Sequence, residues 1–126
     1  MAQCEEGYRC EVCGGDVEDI TQSDLYLRYV LGEVDPEVLH LSPERHLRCN
    51  PTLAQFIVDE AFDSVRVMGP FAKAGLDAAW VAEEEARVSR GFRRLRELFL
   101  AVEPVSLTDY PLAGVAEKWT HAKGGA

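Results

Sequence analysis

Two short pairs of soft ligands constrain this chain more than any other feature. Cys10-Glu11-Val12-Cys13-Gly14 and His46-Leu47-Arg48-Cys49 each place two metal-binding side chains three positions apart, with some thirty residues between the pairs. That spacing lets one tight backbone turn aim both side chains at a single ion, and two such turns complete a tetrahedral shell of three thiolates and one imidazole, the chemistry of structural Zn²⁺. Gly14 supplies a residue that tolerates positive φ where the first turn closes. Tyr8, two residues before the pair, is placed to cover the site. A single C-x-x-C has several readings, among them a redox pair. A second pair of the same spacing favours a metal centre at Cys10, Cys13, His46 and Cys49. The opposing reading is buried reduced cysteines with a satisfied histidine.

A first pair in a loop and a second at the start of a helix resembles the layout of treble-clef, zinc-knuckle-type proteins over residues 8–65. The chain departs from that layout in using His46, and in carrying helical rather than hairpin signals between its pairs. The resemblance implies structural metal binding and nothing further. A second resemblance competes with it. Cys4-x5-Cys10-x2-Cys13, followed by Cys49, is similar to the cysteine spacing of vertebrate-type [2Fe–2S] ferredoxins, acidic electron carriers whose cluster takes four thiolates. That spacing leaves His46 unexplained, and those proteins build β-strands ahead of their first ligand. Whether Cys4 or His40 joins the site stays open at this level.

Four ligands close a zinc shell, whereas a catalytic zinc keeps one position for water. The pattern therefore weighs against an enzyme, and no H-E-x-x-H, G-x-S-x-G or phosphate-loop motif adds weight on the other side. The net charge of −9 argues in the same direction against nucleic acid. Residues 1–50 hold eleven acids against four arginines, so a phosphate backbone would be repelled by the half that carries the ligands. No apolar run reaches membrane-spanning length. The first residues form neither a basic nor an apolar leader, so the expected location is cytoplasmic with reduced thiols.

The remaining pattern is helical. Thr21 with Asp24 resembles a capping box ahead of Leu25, Tyr26, Tyr29 and Val30, with Gly32 as a stop. Val17 and Ile20 before it fit a short strand or a loop. Asp35-Pro36, Ser42-Pro43 and Asn50-Pro51 repeat a cap followed by proline, predicting short helical turns. Leu53, Phe56, Ile57, Ala61, Phe62 and Val65 share one face and predict a helix over 51–65. A helix starting just after Cys49 would favour its thiolate through the macrodipole. After the Gly69-Pro70 break, Val81, Val88, Phe92, Leu95, Phe99 and Val102 predict a long helix over about 77–102 with a near-heptad seam. A last short helix is expected from Pro111, with a loose tail at 123–126.

The expected fold is mainly α: a zinc-knuckle N-terminal half, residues 1–50, packed on a helical half, residues 51–126, as one unit. The expected function is a small soluble zinc-binding protein acting as an interaction or accessory subunit, with an electron carrier or a metal-dependent enzyme as the alternative. Partner contact or self-association is expected through the long helix, at the Trp80–Val81 end of its seam. Arg87, Arg90, Arg93, Arg94 and Arg96 are either a solvated face or a contact for acidic groups.

Overall fold

The chain is mainly helical, with one long helix. In the computed structural model, which describes residues 8–112 and 115, α3 runs Ala78–Leu100. Asp77 starts it, its carboxylate accepting from the Trp80 N–H at 2.9 Å. Glu84 and Arg87 then pair across one turn, as acids ahead of bases do on a helix.

Helix α1, Asp24–Val30, lies earlier in the chain. Its cap is Ser23, whose hydroxyl accepts from the Tyr26 N–H at 2.9 Å. Thr21 instead sits in a 3-10 turn, Ile20–Gln22, opened by Asp19, so the cap falls two residues later than the Thr21–Asp24 spacing predicts. Gly32, at φ +87°, ends the helix where a side chain would be strained.

Helices α1 and α3 meet at Gly91. A Cβ built there would lie 2.7 Å from Leu31 and 2.9 Å from Leu27, so the missing side chain is what lets the two backbones approach. Leu27, Val88 and Leu95 are fully buried around this crossing, and Tyr29, Phe92 and Ile57 nearly so. Each such side chain contributes roughly 1.5–3 kcal/mol on leaving water. The core thus draws on both the N-terminal and the C-terminal halves of the sequence. The C-terminal stretch is pinned to α1 by the Leu112 N–H on the Val30 carbonyl at 3.1 Å and by the Tyr29 hydroxyl on the Leu107 carbonyl at 2.9 Å. Most of the helix expected from Pro111, with Trp119 and the tail, lies outside the described residues.

The region 51–65 differs from its pattern. Only α2, Pro51–Ala54, is helical there. Two polar side chains capture the backbone that a longer helix would use. The Gln55 side-chain amide donates to the Thr52 and Phe71 carbonyls and accepts from the Lys73 N–H, binding the later loop. Ser89 of α3 accepts from the Val58 N–H at 2.8 Å and donates to the Phe56 carbonyl. Asp59 then turns the chain, its carboxylate accepting from the Ala61 N–H at 2.9 Å. Phe56 and Ile57 still reach the core, as adjacent residues of a turn instead of a helical face.

Between residues 35 and 50 the structure has single 3-10 turns, Leu39–Leu41 and Leu47–Cys49, entered at Val38 and His46 without a side-chain cap bond, while Ser42 and Asn50, expected as caps, end them. Ahead of α1, β1 (Tyr8–Arg9) and β2 (Asp16–Val17) pair antiparallel, Tyr8 opposite Val17 and Arg9 opposite Asp16. This short hairpin is the strand alternative for Val17, and its tip is the first ligand pair.

Candidate metal centre

The tip is closed by backbone bonds. The Cys10 N–H donates to the Gly15 carbonyl at 2.8 Å, and the Gly14 N–H to the Cys10 carbonyl at 2.9 Å. Gly14 takes φ +77°, as a turn of this tightness requires. Folding the chain this way points amides at sulfur. Val12 and Cys13 N–H groups donate to Cys10 Sγ at 3.3 and 3.5 Å, and the Gly15 N–H donates to Cys13 Sγ at 3.4 Å.

The second pair is built on a 3-10 turn. His46 is extended and forms an isolated antiparallel bridge with Ser23, the cap of α1. The Cys49 N–H then returns to the His46 carbonyl at 2.9 Å, which brings both side chains to one side. Leu47, between them, is buried in the core and anchors the turn. Two backbone bonds join the pairs to each other and to α1: Glu11 N–H to the Glu44 carbonyl at 2.9 Å, and Asp24 N–H to the Arg45 carbonyl at 2.8 Å.

Cys10, Cys13, His46 and Cys49 thereby converge. One ligand atom from each lies within 4.8 Å of all the others, so the cluster could hold a metal ion. His46 Nδ1 is 3.3 Å from Cys13 Sγ and 3.8 Å from Cys49 Sγ. For comparison, a Zn–N bond of about 2.0 Å and a Zn–S bond of about 2.3 Å at the tetrahedral angle set nitrogen and sulfur roughly 3.5 Å apart. The other ring nitrogen, Nε2, is 2.7 Å from the Asp16 carbonyl. A carbonyl only accepts, so Nε2 carries the proton and Nδ1 presents its lone pair to the thiols. Metal-bound histidines are oriented by this kind of outer hydrogen bond.

The electrostatics fit a cation. Burial pushes the Cys10 thiol up, but the Cys13, His46 and Val12 N–H groups and the Cys49 thiol outweigh it and bring it down to about 6. Cys49 goes the other way, to about 12, through burial and the neighbouring Cys10 and Cys13 sulfurs. Burial lowers His46, yet the Asp16 carbonyl and the Cys10 and Cys13 sulfurs carry it above its usual value. A thiolate is favoured at Cys10, and Cys49 beside it then resists ionising until a positive charge enters. The expected help to Cys49 from a following helix is not found, because α2 is a single turn and burial dominates.

A buried carboxylate orients the second pair from behind. Asp24, fully buried, accepts from Arg28 Nε at 2.9 Å, Arg45 Nη2 at 2.9 Å and Asn50 Nδ2 at 2.8 Å. Arg45 and Asn50 lie just outside His46 and Cys49, so one side chain clamps both ends of the ligand turn. Arg45 also reaches Glu11 in the first pair, at 3.6 Å. Nothing in the spacing of the sequence marks Asp24 for this role; it reads there as the acid of a capping box with Thr21.

His40 is exposed on its own 3-10 turn and is not among the clustered ligands. Cys4 and the Tyr8 ring lie outside what the structure describes. Of the arginines on α3, Arg87 pairs with Glu33 and Glu84, Arg93 with Asp59, and Arg94 with Glu97 and the Asp109 and Tyr110 carbonyls. A cleft of about 510 Å³ opens beside His46 and Cys49, with Phe62 and Phe92 on its apolar side. No helix among the described residues is long and apolar enough to cross a membrane. Comparison with family models, with curated proteins and with solved structures finds no match.

Proposed function

We propose that Cys10, Cys13, His46 and Cys49 bind one structural Zn²⁺, and that the protein works as a cytoplasmic interaction or accessory subunit. The observation that carries the metal assignment is His46. Its Nε2 is committed to the Asp16 carbonyl while Nδ1 faces Cys13 and Cys49. Three thiols and one imidazole make a closed S₃N shell, which suits a structural site better than a catalytic one. Ligand atoms gathered within 4.8 Å favour a single ion over a two-iron cluster, which spreads its four thiolates across two metals. In this reading the ion staples the hairpin tip to the turn before α2, and residues 1–50 and 51–126 act as one unit.

The interaction role rests on the far end of α3. Phe99 is 54% exposed, Leu100 62% and Val102 99%. At the Trp80 end, Trp80 is 46% exposed while its ring meets Phe56 edge-on at 5.6 Å, and Val81 packs on the core. Elemental analysis of the purified protein tests the metal. One zinc per chain and no visible absorption is expected. Iron with sulfide, lost on replacing Cys4, would establish the electron-carrier alternative instead.

A further inference from the structure

The three sulfurs of the cluster sit in unequal surroundings. Cys10 is 2% exposed, and its Sγ accepts from the Val12, Cys13 and His46 N–H groups. Cys13 is exposed, and its Sγ accepts from the Gly15 N–H at 3.4 Å. Cys49 is half-buried beside the cleft of about 510 Å³, and among the described residues no backbone N–H donates to its sulfur. Each amide draws charge off a thiolate and covers one side of it, so attack on an oxidant weakens as donors accumulate. A metal-bound thiol is already ionised, which leaves access and donors to decide. Access puts Cys13 first, the lack of donors puts Cys49 beside it, and both criteria protect Cys10.

The ligand atoms lie within 4.8 Å of one another, so the Cys13 and Cys49 sulfurs need to close by no more than about 2.8 Å to reach disulfide length. Rotation of the exposed Cys13 side chain between staggered positions moves its sulfur about that far. We infer that Cys13 and Cys49 form a reversible oxidation site for hydrogen peroxide, closing to a disulfide that expels the ion and takes over its place as staple. The inference rests on the metal reading, since the ion is what holds both sulfurs as thiolates. The Cys13 sulfur attacks one peroxide oxygen, the O–O bond breaks, and hydroxide leaves with a solvent proton as water. The Cys49 thiolate then attacks the Cys13 sulfenic sulfur, the S–S bond forms, the S–O bond breaks, and a second hydroxide leaves as water. Two thiolates give up two electrons, and the peroxide is reduced to two waters. Cys10 and His46 remain, half of the four ligands that zinc takes. The new bond still joins the hairpin tip to the turn Leu47–Cys49, whereas a Cys10–Cys13 bond would close the tip alone.

Peroxide treatment of the full, zinc-loaded chain tests it, with a chromogenic chelator reporting released zinc and mass spectrometry mapping the disulfide. Loss of the zinc together with an intramolecular Cys13–Cys49 bond is expected, and a phosphine reductant with added zinc should reverse both. Cys4→Ser should change neither result. Hydrogen exchange then reads the staple: residues 42–50 should stay protected after oxidation, although chelation of the reduced chain exposes them. Zinc retained under peroxide, a bond that includes Cys10 or Cys4, a bond between two chains, or oxidation beyond the disulfide would each overturn the proposal. Exposure of 42–50 despite a Cys13–Cys49 bond would overturn the staple role. Zinc content before peroxide separates the two readings: a chain that carries none fails the metal assignment and takes this inference with it, whereas zinc that is bound but not released fails this inference alone.

Discussion

The ligand-bearing region and the α1–α3 crossing are held together by opposite means. Around Cys10–Gly15 and Glu44–Asn50 the contacts are polar and directional: amides on sulfur, a ring nitrogen on a carbonyl, Asp24 on two arginines and an asparagine. Cys13 is exposed, and Cys10 and Leu47 are the residues of these two segments that bury deeply as apolar groups. At the crossing, Leu27, Val88 and Leu95 are excluded from water and Gly91 admits the neighbouring helix. On the proposed reading an ion completes the first region, whereas the second is closed by its own side chains. Perturbing each in turn should therefore give separable responses.

The largest separation should come from the metal. Structural zinc sites in small peptides bind with about 10–16 kcal/mol, and that energy is folding energy where the site does not pre-exist. Chelation, or Cys10→Ser, should strip amide protection from residues 8–17 and 42–50 while leaving Leu27, Val88 and Leu95 protected. Hydrogen exchange reads this residue by residue. Uniform loss across α3 would show that the two regions fold as one cooperative unit, and unchanged protection would remove the staple role.

The converse perturbation is next in size. Leu95→Ala removes a fully buried side chain, and such changes cost about 2–5 kcal/mol. Denaturant unfolding should report that loss, while the zinc content of the folded fraction stays at one per chain. Failure to retain metal would mean that the crossing positions the ligands more directly than its geometry indicates.

Asp24 is where the two regions meet, and replacing it should disturb both. Asp24→Asn keeps the shape but leaves Arg28 and Arg45 without their anion. Both arginines are a quarter exposed and can recover water, so a cost of about 1–3 kcal/mol is expected, below that of a fully buried pair. Metal affinity should fall with stability, because Arg45 and Asn50 flank His46 and Cys49. A drop in stability at unchanged affinity would confine Asp24 to the core of α1.

These contrasts also explain what could be read from the sequence. The cluster of Cys10, Cys13, His46 and Cys49 was legible because two pairs at fixed spacing need only local turns to converge. Helix α3 was legible because burial of Val88, Phe92 and Leu95 repeats with the helical period. The same period over 51–65 misled, since it records which residues are apolar and not where backbone hydrogen bonds go. There the Ser89 hydroxyl takes the Val58 N–H and the Gln55 amide takes the Thr52 carbonyl, groups that a helix would have used. The clamp at Asp24 was invisible for a related reason: Arg45 and Asn50 lie more than twenty residues away, and pairing at that distance leaves no periodic trace.

The smallest effect on stability is expected at the end of α3, and it tests the interaction reading. The seam is buried at Val88, Phe92 and Leu95, half-buried at Leu98, and open from Phe99 onward. Phe99 at 54% and Val102 at 99% exposure have little left to lose on substitution, so Phe99→Asp and Val102→Asp should each shift stability within about 0.5 kcal/mol. A charge placed there should nevertheless abolish any association that uses this surface, because an aspartate entering an apolar contact would have to shed its water without a partner. Light scattering across a concentration series separates the cases. On the self-association reading the native chain grows in mass with concentration, and both variants remain monomeric. A native chain that is monomeric throughout would shift the reading to a different protein as partner. A variant that unfolds would show instead that this last turn is already covered within the chain.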